Sequence, residues 1–237
     1  FDGTTTVSNS GDITLYAPER SAGRATGIKA ARDDGDVVVG NSGDIEIYAG
    51  GRSYGIFAFA TYGDVSVTSA SNITADSVYV SATGINATAL YDVAVTNSGD
   101  IHATSLYSYA TGINASASSI YLGKYYGSLA FDGTTTVSNS GDITLYAPQS
   151  SSGRAIGIKA TRGVGDVVVG NSGDIDIYAG GRSYGIYAHT TYGGVSVTNS
   201  GDISMLSHTD AQIGIQASTG NFFFGGGDVS IVNSGDI

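Results

Sequence analysis

The chain has 237 residues, a formal net charge of −11 and only 13% charged residues, with 36 Gly, 2 Pro and no Cys. An acidic chain lacks the basic stripe that nucleic acid binding needs and is repelled by anionic membrane surfaces. No apolar run approaches the roughly 18 residues of a membrane span, and 41% hydrophobic residues argue against disorder. We therefore expect a folded, turn-rich protein without nucleic acid partners, without direct membrane insertion and without disulfides.

A recurring pentapeptide, Asn-Ser-Gly-Asp-Ile, organises the chain. Successive copies start 28 to 42 residues apart, counting one degenerate copy, Ser-Ala-Ser-Asn-Ile at 69–73. This spacing is typical of a solenoid, in which each coil packs only on its neighbours. A longer period is superimposed, because residues 1–68 and 131–198 match at 56 of 68 positions. The sequence predicts one continuous solenoid over 1–237, with super-repeats 1–130 and 131–237, and we expect it to be part of a longer array.

Three short apolar runs recur in each coil, and the coil after the first shows them most clearly. These runs are Ile45–Ala49, Gly55–Phe59 and Asp64–Val67, separated by Gly-Gly, Tyr-Gly and Ser-Gly pairs. The first and third alternate apolar and polar residues, which indicates half-buried strands. No segment shows helical spacing. We predict an all-β fold, a parallel β-helix solenoid with three short strands per coil of about 28–42 residues.

The alternation places Ile, Val and Ala columns inside the solenoid, and it continues onto the first residue of the pentapeptide. Stacked in register, these Asn side chains would form a ladder of amide hydrogen bonds, interrupted once by Ser69. The pentapeptide Gly, such as Gly11 or Gly43, is expected to adopt a positive φ at the corner. The predicted ladder consists of Asn9, Asn41, Asn97, Asn139, Asn171, Asn199 and Asn233.

The pentapeptide Asp residues would form a column along one edge of the solenoid. One interpretation is that each carboxylate caps backbone N–H groups of a turn and the mutual repulsion is tolerated in solvent. The other is a ladder of bridging cations, with Ca²⁺ the candidate, although the nonapeptide of calcium-binding β-rolls is missing. No other cofactor is expected. This column consists of Asp12, Asp44, Asp100, Asp142, Asp174 and Asp202.

Aromatic residues fall at outward positions and in two insertions. Tyr54, Tyr62, Tyr184 and Tyr192 flank the second strand, and the insertions hold Tyr125 and Tyr126 and then Phe222, Phe223 and Phe224. Outward aromatics could stack between coils, join neighbouring rods or contact glycans. The three His do not pair with a Ser or Asp constellation, so we expect no catalytic site. The first-strand row consists of Tyr16, Tyr48, Tyr146 and Tyr178.

The pattern Val-x-Val-x-Asn-Ser-Gly-Asp-Ile, followed some fifteen residues later by Gly-Ile-x-Ala, resembles the passenger repeats of bacterial autotransporter and filamentous-haemagglutinin-type adhesins. That resemblance covers nearly the whole chain and implies a β-helix located outside the cell or on the bacterial cell surface. We expect a structural module of a surface filament, fibre or stalk whose partners are other copies of itself. The alternatives are an adhesin that binds glycans or matrix and a polysaccharide-degrading β-helix enzyme.

Overall fold

The computed structural model describes residues 3–18, 23–118, 133–148, 154–207, 211–220 and 227–237. These residues contain β-strands and no helix, and all strand pairings are parallel. The predicted parallel β-helix is therefore confirmed. Among the described residues, none forms a helix with the length and apolarity needed to cross a bilayer. Three sheets run along the rod and are named faces A, B and C.

Face A contains the Val-x-Val-x-Asn strands, whose side chains alternate between the interior and the solvent. Its Asn residues pair in register from coil to coil, as Asn97 does with Asn139. The strands are β1 (Thr4–Asn9), β4 (Asp36–Asn41), β7 (Val65–Ser69), β10 (Val93–Asn97), β13 (Gly133–Asn139), the second part of β15 (Ala155–Asn171), β18 (Val195–Asn199) and β21 (Val229–Asn233).

Face B follows each pentapeptide and begins with its Ile. Ile45, Ile73 and Ile101 stack directly over one another. The strands are β2 (Ile13–Ala17), β5 (Ile45–Ala49), β8 (Ile73–Ser77), β11 (Ile101–Ser105), β14 (Ile143–Ala147), β16 (Ile175–Ala179) and β19 (Ile203–Ser207).

Face C contains the Gly-Ile-x-Ala strands and closes each coil. The strands are β3 (Ala25–Asp34), β6 (Ser53–Tyr62), β9 (Ala82–Ala89), β12 (Ala110–Ala117), the first part of β15, β17 (Ser183–Tyr192) and β20 (Gln212–Thr219). One strand from each face makes a coil, so coil 1 is β1–β3, coil 2 is β4–β6, coil 3 is β7–β9 and coil 4 is β10–β12. Coil 5 is β13, β14 and the first part of β15. Coil 6 is the second part of β15 with β16 and β17, and coil 7 is β18–β20.

The interior is a stack of Ile, Val and Ala columns with almost no solvent exposure. Ile56, Ile85 and Ile113 stack in register and are fully buried. Each rung adds about 4.8 Å along the axis, so the same side chain recurs directly above its counterpart. Small Ala residues two positions after each Ile keep the bore narrow enough to be filled without voids.

The Gly before each face C Ile is required by a close approach. A Cβ at Gly112 would lie 2.6 Å from both Gly157 O and Ile143 Cγ2. The Gly of each strand is skipped in the pairing while its neighbours remain paired one to one, so the register is unchanged across it. A Gly occupies the equivalent position in all seven coils, at Gly27, Gly55, Gly84, Gly112, Gly157, Gly185 and Gly214.

The prediction of a positive φ at the pentapeptide Gly is wrong. Among the described glycines, positive φ occurs at Gly35, Gly165, Gly193 and Gly220, none of which belongs to a pentapeptide. The pentapeptide Gly is instead favoured by tight stacking of successive corners, because a Cβ at Gly43 would lie 2.2 Å from Gly11 O.

Candidate functional site

The Asn column forms two continuous ladders, a short one before Ser69 and a longer one from Asn97 to Asn233. Asn97 Nδ2 donates to Asn139 Oδ1 at 2.8 Å, and Asn139 Nδ2 donates to Asn171 Oδ1 at 2.8 Å. Each amide donates its second proton to the carbonyl two residues later, as Asn139 Nδ2 does to Gly141 O at 2.6 Å. Both protons of each buried amide are therefore used, which offsets the cost of burying it.

Ser69 breaks the ladder, with a consequence for the next rung. Asn41 Nδ2 donates to Ser69 Oγ at 3.3 Å, while Ser69 Oγ donates to Ser71 O at 3.4 Å. The Ser hydroxyl has one proton, so it cannot also serve Asn97. Asn97 Oδ1 is accordingly buried without a hydrogen-bond partner among the described residues.

The carboxylates of the pentapeptide Asp residues accept hydrogen bonds from backbone N–H groups of the adjacent coil. Asp44 N donates to Asp12 Oδ1 at 3.0 Å, and the same contact repeats along the column. Asn72 of the degenerate copy preserves the pattern, because Asp100 N donates to Asn72 Oδ1 at 3.0 Å. This geometry matches the capping interpretation of the Asp column.

A second Asp column lies at the opposite edge of face A, and the sequence analysis did not identify it. Asp64 N donates to Asp36 Oδ1 and Asp92 N donates to Asp64 Oδ1, both at 3.0 Å. The recurring Gly-Asp-Val before the face A strands is the signal that could have revealed it. Among the described residues, no group of three or more His, Cys, Asp or Glu could hold a metal ion, so the cation ladder gains no support.

The outward Tyr row on face B consists of two stacked pairs. Tyr16 and Tyr48 have ring centroids 5.2 Å apart, and Tyr146 and Tyr178 have centroids 5.1 Å apart, with 16° between the planes in both pairs. The register places Asp76 and Thr104 between the pairs. Since the rings present their faces to each other, stacking between coils accounts for most of the row.

The other predicted aromatic contacts are only partly described. Tyr184 is not an outward contact, because it is only 4% exposed and Arg154 Cζ lies 5.1 Å from its ring centroid. Tyr125 and Tyr126 lie outside the described residues, as do Phe222, Phe223 and Phe224.

The cations of the rod are concentrated on one side, whereas carboxylates occur on all three faces. Every Lys and Arg among the described residues lies on face C or at the corner immediately before it, namely Arg24, Lys29, Arg32, Arg52, Arg154, Lys159, Arg162 and Arg182. Face A carries the two Asp columns along its edges. Its central outward positions hold small uncharged residues, including Val38 and Val168, which are 38% and 40% exposed. The rod therefore presents an acidic-edged face A and, on face C, a group of exposed or half-buried cations, although Arg162 is buried and β3 ends in the exposed Asp33 and Asp34.

Coils 3 and 4 carry shorter outward residues than the coils on either side, and a groove results on face C. Tyr54 of coil 2 and Ile156 of coil 5 stand at its two walls, with Thr83 and Thr111 on the floor between them. We name this the basic groove. It has a volume of about 380 Å³ and is lined by Arg52, Tyr54, Ser81, Thr83, Asn86, Tyr109, Thr111, Asn114, Arg154, Ile156 and Lys159.

The basic groove contains three cations and no carboxylate. Among the described residues, no Asp or Glu lies within ion-pair distance of Arg52, Arg154 or Lys159, the one ion pair being Arg162 with Asp92. Burial, and then the nearby charge of Arg154, lowers the pKa of Lys159. Sequence reasoning missed the groove because it compared coils with their equivalents 130 residues away. A comparison of adjacent coils would have indicated the groove, because Thr83 and Thr111 are shorter than the equivalent residues of coils 2 and 5.

Comparisons with known proteins do not assign this site. No family model, no curated protein and no solved structure matches the chain.

Proposed function

We propose that the chain is a structural module of an extracellular surface filament, fibre or stalk whose copies associate side by side. The resemblance of its repeats to secreted bacterial passengers supports the location. The uninterrupted register of the three sheets supports the scaffold role, since identical rungs add length without changing the cross-section. The near-copy of residues 1–68 at 131–198 fits a rod lengthened by duplication.

The observation that carries self-association is the concentration of cations on one side of the rod. An acidic-edged face A of one rod is complementary to the part of face C in another rod that carries Arg52, Arg154 and Lys159, and the uncharged centre of face A allows close approach. Two identical faces would instead bring like charges together. The A-to-C contact is heterologous, so it extends into sheets or bundles and does not close as a dimer.

Electron microscopy and sedimentation velocity across a concentration series test the proposal. The variant Val38→Lys/Val168→Lys places cations in the middle of face A, where they would oppose face C of the neighbour. We expect association to weaken by about tenfold or more, because like charges across an interface cost several kcal/mol. The matched control is Thr14→Lys/Thr144→Lys, which makes the same charge change at exposed positions of face B.

The two variants separate a specific contact from general repulsion. Both reduce the net negative charge, so general repulsion alone would make both associate more strongly. Loss of association in the face A variant alone supports the proposed contact. A wild-type protein that stays monomeric at every concentration and ionic strength would overturn the proposed function.

A further inference from the structure

We propose that the basic groove is a binding site for a short oligosaccharide that carries carboxylate groups. The site lies on face C between coils 2 and 5, and its assignment does not depend on self-association of the rod. Its volume of about 380 Å³ is within the range of small-ligand sites, about 300–1,000 Å³.

The cations define the charge of the ligand. Arg52 stands at one wall while Arg154 and Lys159 stand at the other, and the strand register separates coils 2 and 5 by three rungs, about 14 Å. Without a carboxylate of the rod to neutralise them, these groups favour an anionic ligand. Guanidinium groups match the planar geometry of carboxylates and donate two parallel hydrogen bonds to them.

The floor defines the rest of the ligand. Hydroxyl and amide side chains cover it, and Asn114 Nδ2 donates to Asn86 Oδ1 at 2.7 Å. Two polar atoms, Asn114 Oδ1 and Arg52 Nε, have no partner among the described residues. A floor of mixed donors and acceptors suits a ligand that is itself rich in hydroxyl groups.

Tyr109 adds an aromatic surface to the site. It lines the groove at the corner between faces B and C and is 50% exposed. Unlike Tyr16 or Tyr146, it is not part of a described ring stack with a neighbouring Tyr. Its ring can therefore pack against the apolar face of a sugar while the phenol remains hydrated.

An acidic peptide fits the groove less well. One common mode of peptide binding is pairing with an open strand edge, but the backbone of the floor strands β9 and β12 is already paired with neighbouring strands. The groove thus offers side chains only. This favours a ligand with many hydroxyl groups over one that relies on backbone hydrogen bonds.

Isothermal titration calorimetry with trigalacturonate tests the proposal, at protein concentrations where sedimentation shows single rods. The test variant is Arg154→Ala/Lys159→Ala, and the matched control is Arg24→Ala/Lys29→Ala. The control removes the same residue types at the equivalent positions of the first super-repeat, outside the groove. We expect saturable binding that weakens about tenfold or more in the test variant and is unchanged in the control.

Three further probes define the chemistry. The methyl ester of trigalacturonate should not bind, because it keeps the hydroxyls and loses the charge. Tighter binding of a sulfated galactose trisaccharide would overturn the carboxylate assignment, and tighter binding of triglutamate would overturn the sugar assignment. Equal weakening in both variants would show general charge attraction in place of a specific site. Either that result or an absence of trigalacturonate binding to the wild type would overturn the proposal.

Discussion

Coils 3 and 4 differ from coils 5 and 6 on the outside while sharing their interior. Ile85 and Ile113 are as fully buried as Ile158 and Ile186, and all four belong to one column. Outside, face C carries Asn86 and Asn114 in coils 3 and 4, against Lys159 and Tyr187 in coils 5 and 6. On face B, Asp76 and Thr104 stand where the later coils carry Tyr146 and Tyr178.

The difference shows that inward and outward side chains of the same strand are under different constraints. An inward residue must match the rung above and below, so the interior columns repeat. An outward residue meets solvent, so it can change without cost to the fold. The basic groove arises where outward residues shorten for two consecutive coils. In this rod, a binding site is a local departure from the repeat.

The strongest way to break the regular interior is to remove one amide from the ladder. Asn139→Ala leaves Asn97 Nδ2, Asn171 Oδ1 and the carbonyl of Gly141 without their partner. We expect the free energy of unfolding to fall by about 3–4 kcal/mol, since each buried unpaired group costs about 1–3 kcal/mol. Urea denaturation followed by circular dichroism measures this loss. Asn9→Ala, at a partly exposed rung, should cost less; equal losses would contradict the role of burial.

The next largest effect concerns the Gly that every coil shares. Gly112→Ala places a Cβ 2.6 Å from Gly157 O, a backbone atom, and from Cγ2 of the fully buried Ile143. We expect a loss of about 2–3 kcal/mol from overpacking, measured by the same denaturation. Gly170→Ala is the control, because a Cβ there meets nothing within 4 Å. A Gly112→Ala protein as stable as this control would show that the coils are free to slide.

The ladder can also be repaired where coil 3 departs from the rule. Ser69→Asn replaces one hydroxyl proton with two amide protons, one of which can reach the unpaired Asn97 Oδ1 while the other replaces the Ser69–Ser71 contact. We expect the protein to become more stable by about 1 kcal/mol. Ser69→Ala should have the opposite sign, because it removes the acceptor of Asn41 Nδ2. A Ser69→Asn protein with an unchanged or lower urea midpoint would contradict the explanation.

The smallest effect is a pH dependence on face B. Burial raises the pKa of Asp76. Hydrogen bonding with Thr104 and the charge of His102 oppose this rise, and the charge of Glu46 adds to it. The folded protein therefore holds this proton more tightly than the unfolded chain does. The associated stability is fully present below the ordinary Asp pKa of 3.8 and is lost as the pH rises through the folded-state pKa.

Asp76→Asn keeps the shape of the side chain and removes this loss. We expect the variant to gain stability relative to wild type at pH 7 and to match it at acid pH, with urea denaturation at both values as the measurement. A variant that is less stable than wild type at pH 7 would mean that contacts of the ionised carboxylate outweigh its desolvation.

The fold was predictable from the sequence because inward positions repeat at every rung. The spacing of the pentapeptide and the alternation of Val37 and Val39 were enough to place Asn41 inside, where it is buried and donates to the next coil. The positive φ expected at Gly43 was wrong because a corner stacked on another corner selects Gly by proximity. Local turn rules do not contain that information.

The candidate site was not predictable in the same way. Arg52, Arg154 and Lys159 are distant in sequence, and their equivalents in the other super-repeat are Arg182, Arg24 and Lys29, none of which lines this groove. What distinguishes the groove is the pair of short rungs between its walls. Predicting the groove therefore requires the order in which the coils stack as well as the residue types in each coil.

The amide ladder also gives the rod an electrical direction. In every described Asn–Asn pair of the ladder the earlier residue donates and the later residue accepts, so these amide dipoles add along the axis as peptide dipoles do in a helix. Two rods lying alongside each other with opposite orientations would partly cancel these fields, whereas two with the same orientation would reinforce them. The dipole field of the buried ladder thus favours an antiparallel arrangement of neighbouring rods, although the ladder itself is not part of their contact.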